Sequence, residues 1–188
     1  MNDASERASR VRRSSADDWR TLRDLRLRSL REDAHAFGSS FEREAGFDEA
    51  EWRRRAETPG GDPRGAAFFA FKYDEPVGLA ACIPQDEPAP SAWVHAMWIA
   101  PSVRGEGLGE ALLRACIHHA RAHALPEVRL VVHDDNRLAR RLYEAAGFTP
   151  VEPTDRRLAQ AERDLELRLR LDAKRDAARC SAQPPAAP

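Results

Sequence analysis

Hydrophobic residues in the first half of the chain fall in three short runs that predict β-strands. Ala66–Phe71 and Val77–Ile83 are apolar runs separated by the polar segment Lys72–Pro76, a spacing typical of a hairpin. The proline-rich segment Pro84–Pro90 then leads into a third apolar run, Trp93–Ile99. Three consecutive strands with short connections predict an antiparallel meander.

From Gly107 onward, the spacing of apolar residues changes from that of a strand to that of a helix. The apolar side chains that recur at helical spacing are Leu112, Leu113, Cys116, Ile117 and Ala120. The next apolar run, Val128–His133, predicts a strand. Because it follows a helical crossover, we expect it to lie parallel to Trp93–Ile99. Another helix is predicted over Asn136–Ala146, with Gly147 as its C-terminal cap.

The N-terminal part of the chain predicts two helices. Ser15 together with Asp18 is an acidic variant of a helix start signal, and the helix should end near Asp33. A second helix is expected over Asp48–Glu57, stopped by the breaker sequence Pro59–Gly61.

The closing part of the chain predicts two more strands, Phe148–Val151 and Leu165–Leu171. In the second, leucines alternate with charged residues, the pattern of a strand with one buried face. The polar, proline-rich end predicts disorder. We therefore expect one domain over residues 14–172, between a flexible segment at 1–13 and a disordered tail at 173–188.

Length and charge exclude several classes of function. The 188 residues suffice for one domain with a substantial core. With 30 basic and 31 acidic side chains, the net charge of −1 gives no overall field that favours nucleic acid or an anionic membrane. No apolar run is long enough for a membrane span, and the N-terminus lacks the apolar core of a signal peptide. We expect a cytoplasmic protein without nucleic-acid or membrane partners.

Cysteine and histidine spacing predicts no metal site. Cys82, Cys116 and Cys180 are far apart in the sequence and form no metal-ligand or redox pair. His119 and His123 are spaced for metal binding on a helix, but the accompanying acid of zinc proteases is missing. A solvated helix face is the preferred interpretation.

Three glycines at alternate positions, Gly105, Gly107 and Gly109, separate the third predicted strand from the helix after it. Such a junction lets the backbone approach a ligand closely, and the positive end of the helix dipole suits a pyrophosphate. The phosphate loop of nucleotide hydrolases would require Lys-Ser/Thr where Glu110 and Ala111 stand. A dinucleotide fold requires Gly-x-Gly-x-x-Gly directly after the strand, which the spacing here does not match.

The loop instead resembles the Arg/Gln-x-x-Gly-x-Gly/Ala loop of the GNAT superfamily of N-acetyltransferases, through Arg104, Gly107 and Gly109. Residues 136–148 follow a predicted strand and resemble the same superfamily in their Asn-x-x-Ala-x-x-Leu-Tyr-Glu-x-x-Gly-Phe pattern. The resemblance is specific from about residue 97 to residue 148. It implies a single α/β domain with a mixed, centrally splayed sheet, an antiparallel meander plus a parallel strand pair, flanked by helices.

The resemblance also implies acetyl-CoA as the acetyl donor and an amine as the acceptor. The pantetheine arm would lie between Trp93–Ile99 and Val128–His133, with Asn136 near it, and a helix N-cap is an equally good role for Asn136. The residues expected to bind the cofactor are Met97, Trp98, Ile99, Arg104, Gly105, Glu106, Gly107, Leu108, Gly109, Glu110, Asn136 and Tyr143.

Tyr143 and Glu44 are the predicted catalytic residues. Tyr143 lies seven positions after Asn136 on the same helix face, where its phenol can hydrogen-bond the departing thiolate. Some superfamily members carry a glutamate where this chain has Val131, which leaves the base open. The candidates are Glu42, Glu44, His95 and His133, and a water chain could carry the proton instead.

The acceptor is the least determined part of the prediction. A small-molecule amine, antibiotic-like or amino-acid-like, is the first interpretation. A protein N-terminal or lysine acetyltransferase and a non-catalytic acyl-CoA-binding module are the alternatives. Homodimers are common among proteins that resemble this chain, so a homodimer is a further expectation.

Overall fold

A computed structural model describes residues 9–152 and 163–171 of the chain. Its seven strands are β1 (Ser9–Arg13), β2 (Ala66–Lys72), β3 (Glu75–Gln85), β4 (Ser91–Ile99), β5 (Glu127–His133), β6 (Thr149–Val151) and β7 (Asp164–Arg170). They form one mixed sheet in the order β1-β2-β3-β4-β5-β7-β6. The described α-helices are α1 (Trp19–Glu32), α2 (Phe41–Ala45), α3 (Glu49–Glu57), α4 (Leu108–Ala122) and α5 (Arg137–Ala145).

The predicted meander is present, and the predicted parallel pair is its neighbour. β2, β3 and β4 are successive antiparallel neighbours. β4 and β5 are parallel, with Ala92 opposite Val128 and Trp93 opposite Arg129. Beyond these two pairs, which lie near the start of both strands, the register shows no further pairing between described residues of β4 and β5. The sheet therefore splays at its centre, as predicted.

A bulge interrupts β4 beside this splay. The register jumps from Ala81 opposite His95 to Leu79 opposite Trp98, so Ala80 faces two residues of β4. One of them, Ala96, has a φ of 51°, in the left-handed region that residues with a Cβ rarely adopt. Such a bulge bends the strand and re-aims the groups that follow it.

The helices cover the two faces of the sheet. Cys82 on β3 directs its thiol to the carbonyl of Cys116 on α4, at 3.6 Å, and both cysteines are buried. The adjacent residues Ala81 and Ile83 line a cavity together with Leu22 of α1. Because neighbouring residues of a strand point to opposite faces, α4 and α1 lie on opposite sides of the sheet.

Residues 9–13 correct the predicted N-terminal boundary. They form β1, which pairs antiparallel with β2 from Ser9 opposite Lys72 to Arg13 opposite Phe68. Arg10 and Arg12 place their guanidinium groups over the ring of Phe71 at 5.1 Å and 5.0 Å. Two arginines of the segment that was expected to be flexible thus pack on an aromatic side chain. The rest of that segment, the predicted tail at 173–188 and Cys180 lie outside the described residues.

Two predictions of solvent-facing polar residues are wrong. Glu166, part of the leucine–charge alternation in β7, is only 2% exposed, and its buried charge is balanced by an ion pair with Arg129 of β5. His119 is buried on α4, and its Nε2 lies 2.7 Å from the carbonyl oxygen of Arg64. Among the described residues, no helix is both long enough and apolar enough to span a bilayer.

Candidate active site

The loop between β4 and α4 holds two glycines in a conformation that other residues disfavour. Gly105 and Gly107 both have a φ of +83°. A Cβ placed on either residue would meet no atom within 4 Å. The backbone therefore needs glycine for its conformation, and the space beside it is open to a ligand.

The N-terminus of α4 follows this loop without a side-chain cap. Gly107 is the N-cap of this 15-residue helix. The first bond within the helix runs from the Ala111 N–H to the Gly107 carbonyl at 3.0 Å. The N–H groups of Leu108, Gly109 and Glu110 precede it and have no acceptor within the helix. Together with the helix dipole, they suit a phosphate group.

Arg104 anchors the loop through its side chain. Its Nε donates to the carbonyl of Ile99 at 2.9 Å, and its guanidinium pairs with Asp33. Asp33 also accepts a hydrogen bond from the indole of Trp98 at 2.7 Å. Asp33 was not among the predicted site residues, because the 71 positions between it and Arg104 leave no local signal.

A first cavity of about 710 Å³ opens over this loop. Of the residues predicted to bind the cofactor, it is lined by Met97, Trp98, Ile99, Arg104, Gly105, Gly107, Gly109, Glu110, Asn136 and Tyr143. The side chains of the other two point elsewhere: Leu108 is buried in the core, and Glu106 pairs with Lys72 at 2.7 Å. The open glycine backbone and the uncapped N–H groups of the helix fit a diphosphate. The gap between the splayed strands fits an extended arm that pairs with the free strand edge.

A second cavity of about 760 Å³ lies on the α1 side of the sheet, and several residues line both cavities. These shared residues are His35, Ala36, Phe37, Met97, Asn136, Ala139 and Tyr143. A group bound in one cavity and a group bound in the other can therefore meet beside Met97 and Tyr143.

Tyr143 stands at this meeting point and is 7% exposed. Its hydroxyl donates to the thioether sulfur of Met97 at 3.5 Å, a weak acceptor. Burial, with a smaller contribution from Cys116, holds the pKa of Tyr143 well above its usual value. The phenol therefore keeps its proton at neutral pH and can donate it in a hydrogen bond.

Comparison with known proteins agrees with this geometry. The sequence profile of the acetyltransferase (GNAT) family matches residues 19–148. The chain belongs to this family. Among its relatives, the mycothiol acetyltransferase of Thermomonospora curvata is 38% identical over 97 residues, which cover 52% of this chain and 32% of the relative. The mycothiol acetyltransferase of Geodermatophilus obscurus is 36% identical over 124 residues, covering 64% and 40%.

Solved GNAT structures share the fold. A GNAT acetyltransferase from Streptococcus pneumoniae superposes with a TM-score of 0.71 at 18% identity, covering 87% of this chain and 99% of that one. The PaiA N-acetyltransferase from Thermoplasma acidophilum, solved with coenzyme A, gives 0.58 at 19% identity, with the same coverage. The predicted family and fold are thereby confirmed. The chain spans well under half the length of the curated relatives named above.

Asn136 caps the GNAT helix that carries Tyr143. Its side-chain oxygen accepts from the N–H of Ala139 at 3.1 Å, so the N-cap role is present. The residue also lines both cavities. Its contact with a cofactor stays a prediction.

The structure speaks against Glu44 as the base. Its carboxylate accepts two hydrogen bonds from Arg26, from Nε at 3.0 Å and from Nη2 at 2.8 Å. Burial alone would raise the pKa of Glu44, but Arg26, Ser39 and Arg55 outweigh it and lower that pKa. Glu44 is 3% exposed and is not among the residues that line either cavity. A paired carboxylate of low pKa is a poor proton acceptor.

Two histidines from the predicted set do line the second cavity. Burial, followed by the charge of Arg26, lowers the pKa of His95 to about 4, so this imidazole is neutral at physiological pH. His133 lies at the end of β5, with its Nδ1 2.7 Å from a carboxylate oxygen of Asp135. An ionised carboxylate can only accept, so Nδ1 carries a proton, and in the neutral imidazole the lone pair is then on Nε2.

Val131 occupies the position at which some GNAT members carry a glutamate. Glu166 stands directly opposite it on β7. That carboxylate is occupied by its ion pair with Arg129 and lies outside the lining of both cavities.

His133, Asp134 and Asp135 also bring three metal-ligand atoms within 4.8 Å of one another. The expectation that no metal takes part stays a prediction.

Proposed function

We propose that the protein transfers the acetyl group of acetyl-CoA to the amine of a small molecule. The observation that carries the proposal is the pair of cavities that share Met97 and Tyr143, one built from open glycine backbone and the other from side chains. The named relatives are mycothiol acetyltransferases, which supports a small-molecule acceptor.

The donor side depends mainly on backbone groups. Acetyl-CoA supplies the acetyl group as a thioester. The N–H groups from Gly105 to Glu110 would hold its diphosphate, and the splayed edge of β4 would hold the pantetheine arm as an added strand. Arg104 fixes the loop by binding Asp33 and the Ile99 carbonyl, so its charge is already engaged in the protein.

Tyr143 and His133 would act at the point of transfer. The amine attacks the carbonyl carbon while the bond from that carbon to sulfur breaks. The hydroxyl of Tyr143 donates a hydrogen bond to the departing sulfur, and Nε2 of His133 accepts the proton that the amine loses. Cys82 and Cys116 are buried and line neither cavity, which supports direct transfer without a cysteine intermediate.

The first experiment is a thiol-release assay with acetyl-CoA and a panel of amines, with mass spectrometry of the products. Amine-dependent thiol release together with N-acetylated product is expected. Binding of coenzyme A without acceptor-dependent release would make the protein a non-catalytic module instead. Acetylation confined to lysines or N-termini of proteins would replace the small-molecule acceptor.

The proton acceptor can be tested separately. His133→Gln should lower kcat/KM by about a hundredfold, the lower end of the range for a lost general base. Asp135→Asn should alter the pH profile while the side chain stays similar in size. Asp134→Asn should alter it less, because Oδ1 of Asp134 lies farther from the same nitrogen, at 3.6 Å. An unchanged profile in His133→Gln would leave proton transfer to water.

A further inference from the structure

The second cavity, on the α1 side, is the acceptor cavity of the proposed reaction. It contains a buried arginine that has one nitrogen without a hydrogen-bond partner. Arg26 on α1 is 12% exposed in its side chain and lines the cavity. Two of its nitrogens, Nε and Nη2, are taken by Glu44, and its guanidinium lies 4.7 Å from the ring centroid of Phe37. The third nitrogen, Nη1, is buried and has no hydrogen-bond partner among the described residues.

An unpaired donor of this kind is unfavourable in a folded protein. A buried polar group without a partner loses its hydration and gains nothing in exchange, and the cost is larger when the group is charged. The arrangement becomes favourable when a ligand supplies the missing oxygen. Glu44 already fixes the other edge of the guanidinium, so Nη1 is pre-organised to bind it.

The charges along the α1 and α3 wall of this cavity leave an excess of positive charge, while a carboxylate of the lining, Asp164, lies on β7. Three arginines that line the cavity, Arg26, Arg54 and Arg55, are held by two carboxylates, Glu44 and Glu51. The charge of Arg26 also reaches His95 across the same cavity, where it helps to lower the histidine pKa. A neutral ligand oxygen would satisfy Nη1 but leave this excess, whereas a carboxylate would satisfy both.

We propose that Arg26 binds a carboxylate of the acceptor, so that the preferred acceptors are amines that carry a carboxylate, such as amino acids. This inference rests on the proposed acetyltransferase function and specifies its substrate class. Arg26 would act as a specificity-determining residue, with the amine directed towards Met97 and Tyr143 and the carboxylate towards α1.

The test compares matched acceptors in the thiol-release assay. Each acceptor from a set of α-amino acids and longer ω-amino acids is assayed beside its own primary amide. Because an amide and an acid differ in amine basicity, the measured quantity is the ratio of kcat/KM for acid over amide in a variant, divided by the same ratio in wild type. This double ratio cancels the intrinsic chemistry.

Arg26→Gln should lower the acid-to-amide ratio by about tenfold to a hundredfold, in line with the loss of a hydrogen bond to a charged group. Arg54→Gln is the matched control. It removes the same charge from the same wall, and Arg54 likewise gives Nε and Nη2 to a glutamate, Glu51. Its side chain is 50% exposed, however, and its Nη1 is not among the buried unpartnered atoms, so its ratio should change by no more than about twofold.

Three outcomes decide the proposal. In the longer ω-amino acids the distant carboxylate hardly changes the basicity of the amine, so a wild-type protein that acetylates their amides as well as the acids would overturn the proposal, and this measurement needs no folded variant. Equal losses of the acid-to-amide ratio in Arg26→Gln and Arg54→Gln would also overturn it. They would show that the total charge of the cavity wall, and not a contact with Arg26, sets the preference for acids. If Arg26→Gln does not fold, Arg26→Lys, which keeps the charge but lacks the third nitrogen, should lose the acid preference. Absence of turnover with every amine would instead count against the acetyltransferase function itself.

Discussion

The two cavities that meet at Tyr143 are built in different ways. The first cavity, which is the donor cavity of the proposed reaction, depends on backbone groups. They are glycines with positive φ, an uncapped helix end and a strand edge left free by the splay. The acceptor cavity depends on side chains from separate segments, among them Arg26, His95 and His133. Backbone recognition suits a group that is the same for every donor, whereas side chains can differ wherever the acceptor differs. The contrast explains why the donor is easier to infer than the acceptor.

The largest effect is expected where the two regions meet. Tyr143→Phe should lower kcat by about a hundredfold, because the departing sulfur loses its hydrogen-bond donor. Affinity for coenzyme A should stay within about twofold, since the ring and its packing are retained. Steady-state kinetics and calorimetric titration with coenzyme A measure the two quantities.

Removing the hydroxyl costs little in stability, because the contact it loses is with the weak acceptor Met97. A melting temperature close to that of wild type is therefore the control for folding. Normal turnover by Tyr143→Phe would show that another group stabilises the sulfur.

The backbone character of the donor side is tested by Gly107→Val. A β-branched residue at a φ of +83° is strained, and relief of that strain would turn the N–H groups of the loop away from the diphosphate. Coenzyme A should bind about tenfold to a hundredfold more weakly, the loss of one or two charge-assisted hydrogen bonds.

Gly61→Val provides the matched control, because Gly61 has a φ of +79° but does not line the donor cavity. It should cost similar stability and leave coenzyme A affinity unchanged. Equal loss of affinity in both variants would attribute the effect to stability alone.

The same contrast decides how much the sequence could predict. The donor loop and the helix with Asn136 and Tyr143 are local patterns, in which spacing alone carries the geometry. The splay followed from the resemblance, and the structure confirms it. These features need only a few neighbouring residues to agree.

Predictions failed where side chains from distant segments pair. Glu44 was a predicted catalytic residue and a candidate base, but Arg26, 18 residues earlier, donates hydrogen bonds to both of its carboxylate oxygens. Glu166 alternates with leucines as a solvent-facing residue would, yet Arg129 on the neighbouring strand buries it. A single sequence contains no signal for such pairs, because each charge also fits an exposed surface.

On the acceptor side, burial of a titratable side chain should make stability depend on pH. The pKa of His95 falls from 6.5 to about 4 on folding. The neutral histidine is therefore favoured in the folded protein, and its contribution is present above about pH 6.5 and lost as the pH falls towards 4. At pH 5 we expect a loss of about 2 kcal/mol in the free energy of unfolding that His95→Gln does not show.

Urea denaturation of wild type and His95→Gln between pH 4.5 and 7.5 measures this difference. The carboxylates and the buried His119 titrate in both proteins, so only the difference between the two curves reports on His95. Parallel curves would mean that His95 is solvated in the folded state.

The smallest expected effect concerns the bulge at which the two regions separate. The φ of 51° at Ala96 destabilises the folded protein by about 1–2 kcal/mol, the strain of a residue with a Cβ in the left-handed region. Ala96→Gly removes that strain but adds about 0.5–1 kcal/mol of chain entropy to the unfolded state, so stability should rise by about 1 kcal/mol or less. Ala96→Val should instead destabilise the protein, because a β-branched residue tolerates this conformation poorly.

If the bulge directs the β4 backbone into the splay, the valine variant should also weaken coenzyme A binding while the glycine variant does not. Equal coenzyme A affinities in both variants would mean that the donor site forms independently of the bulge.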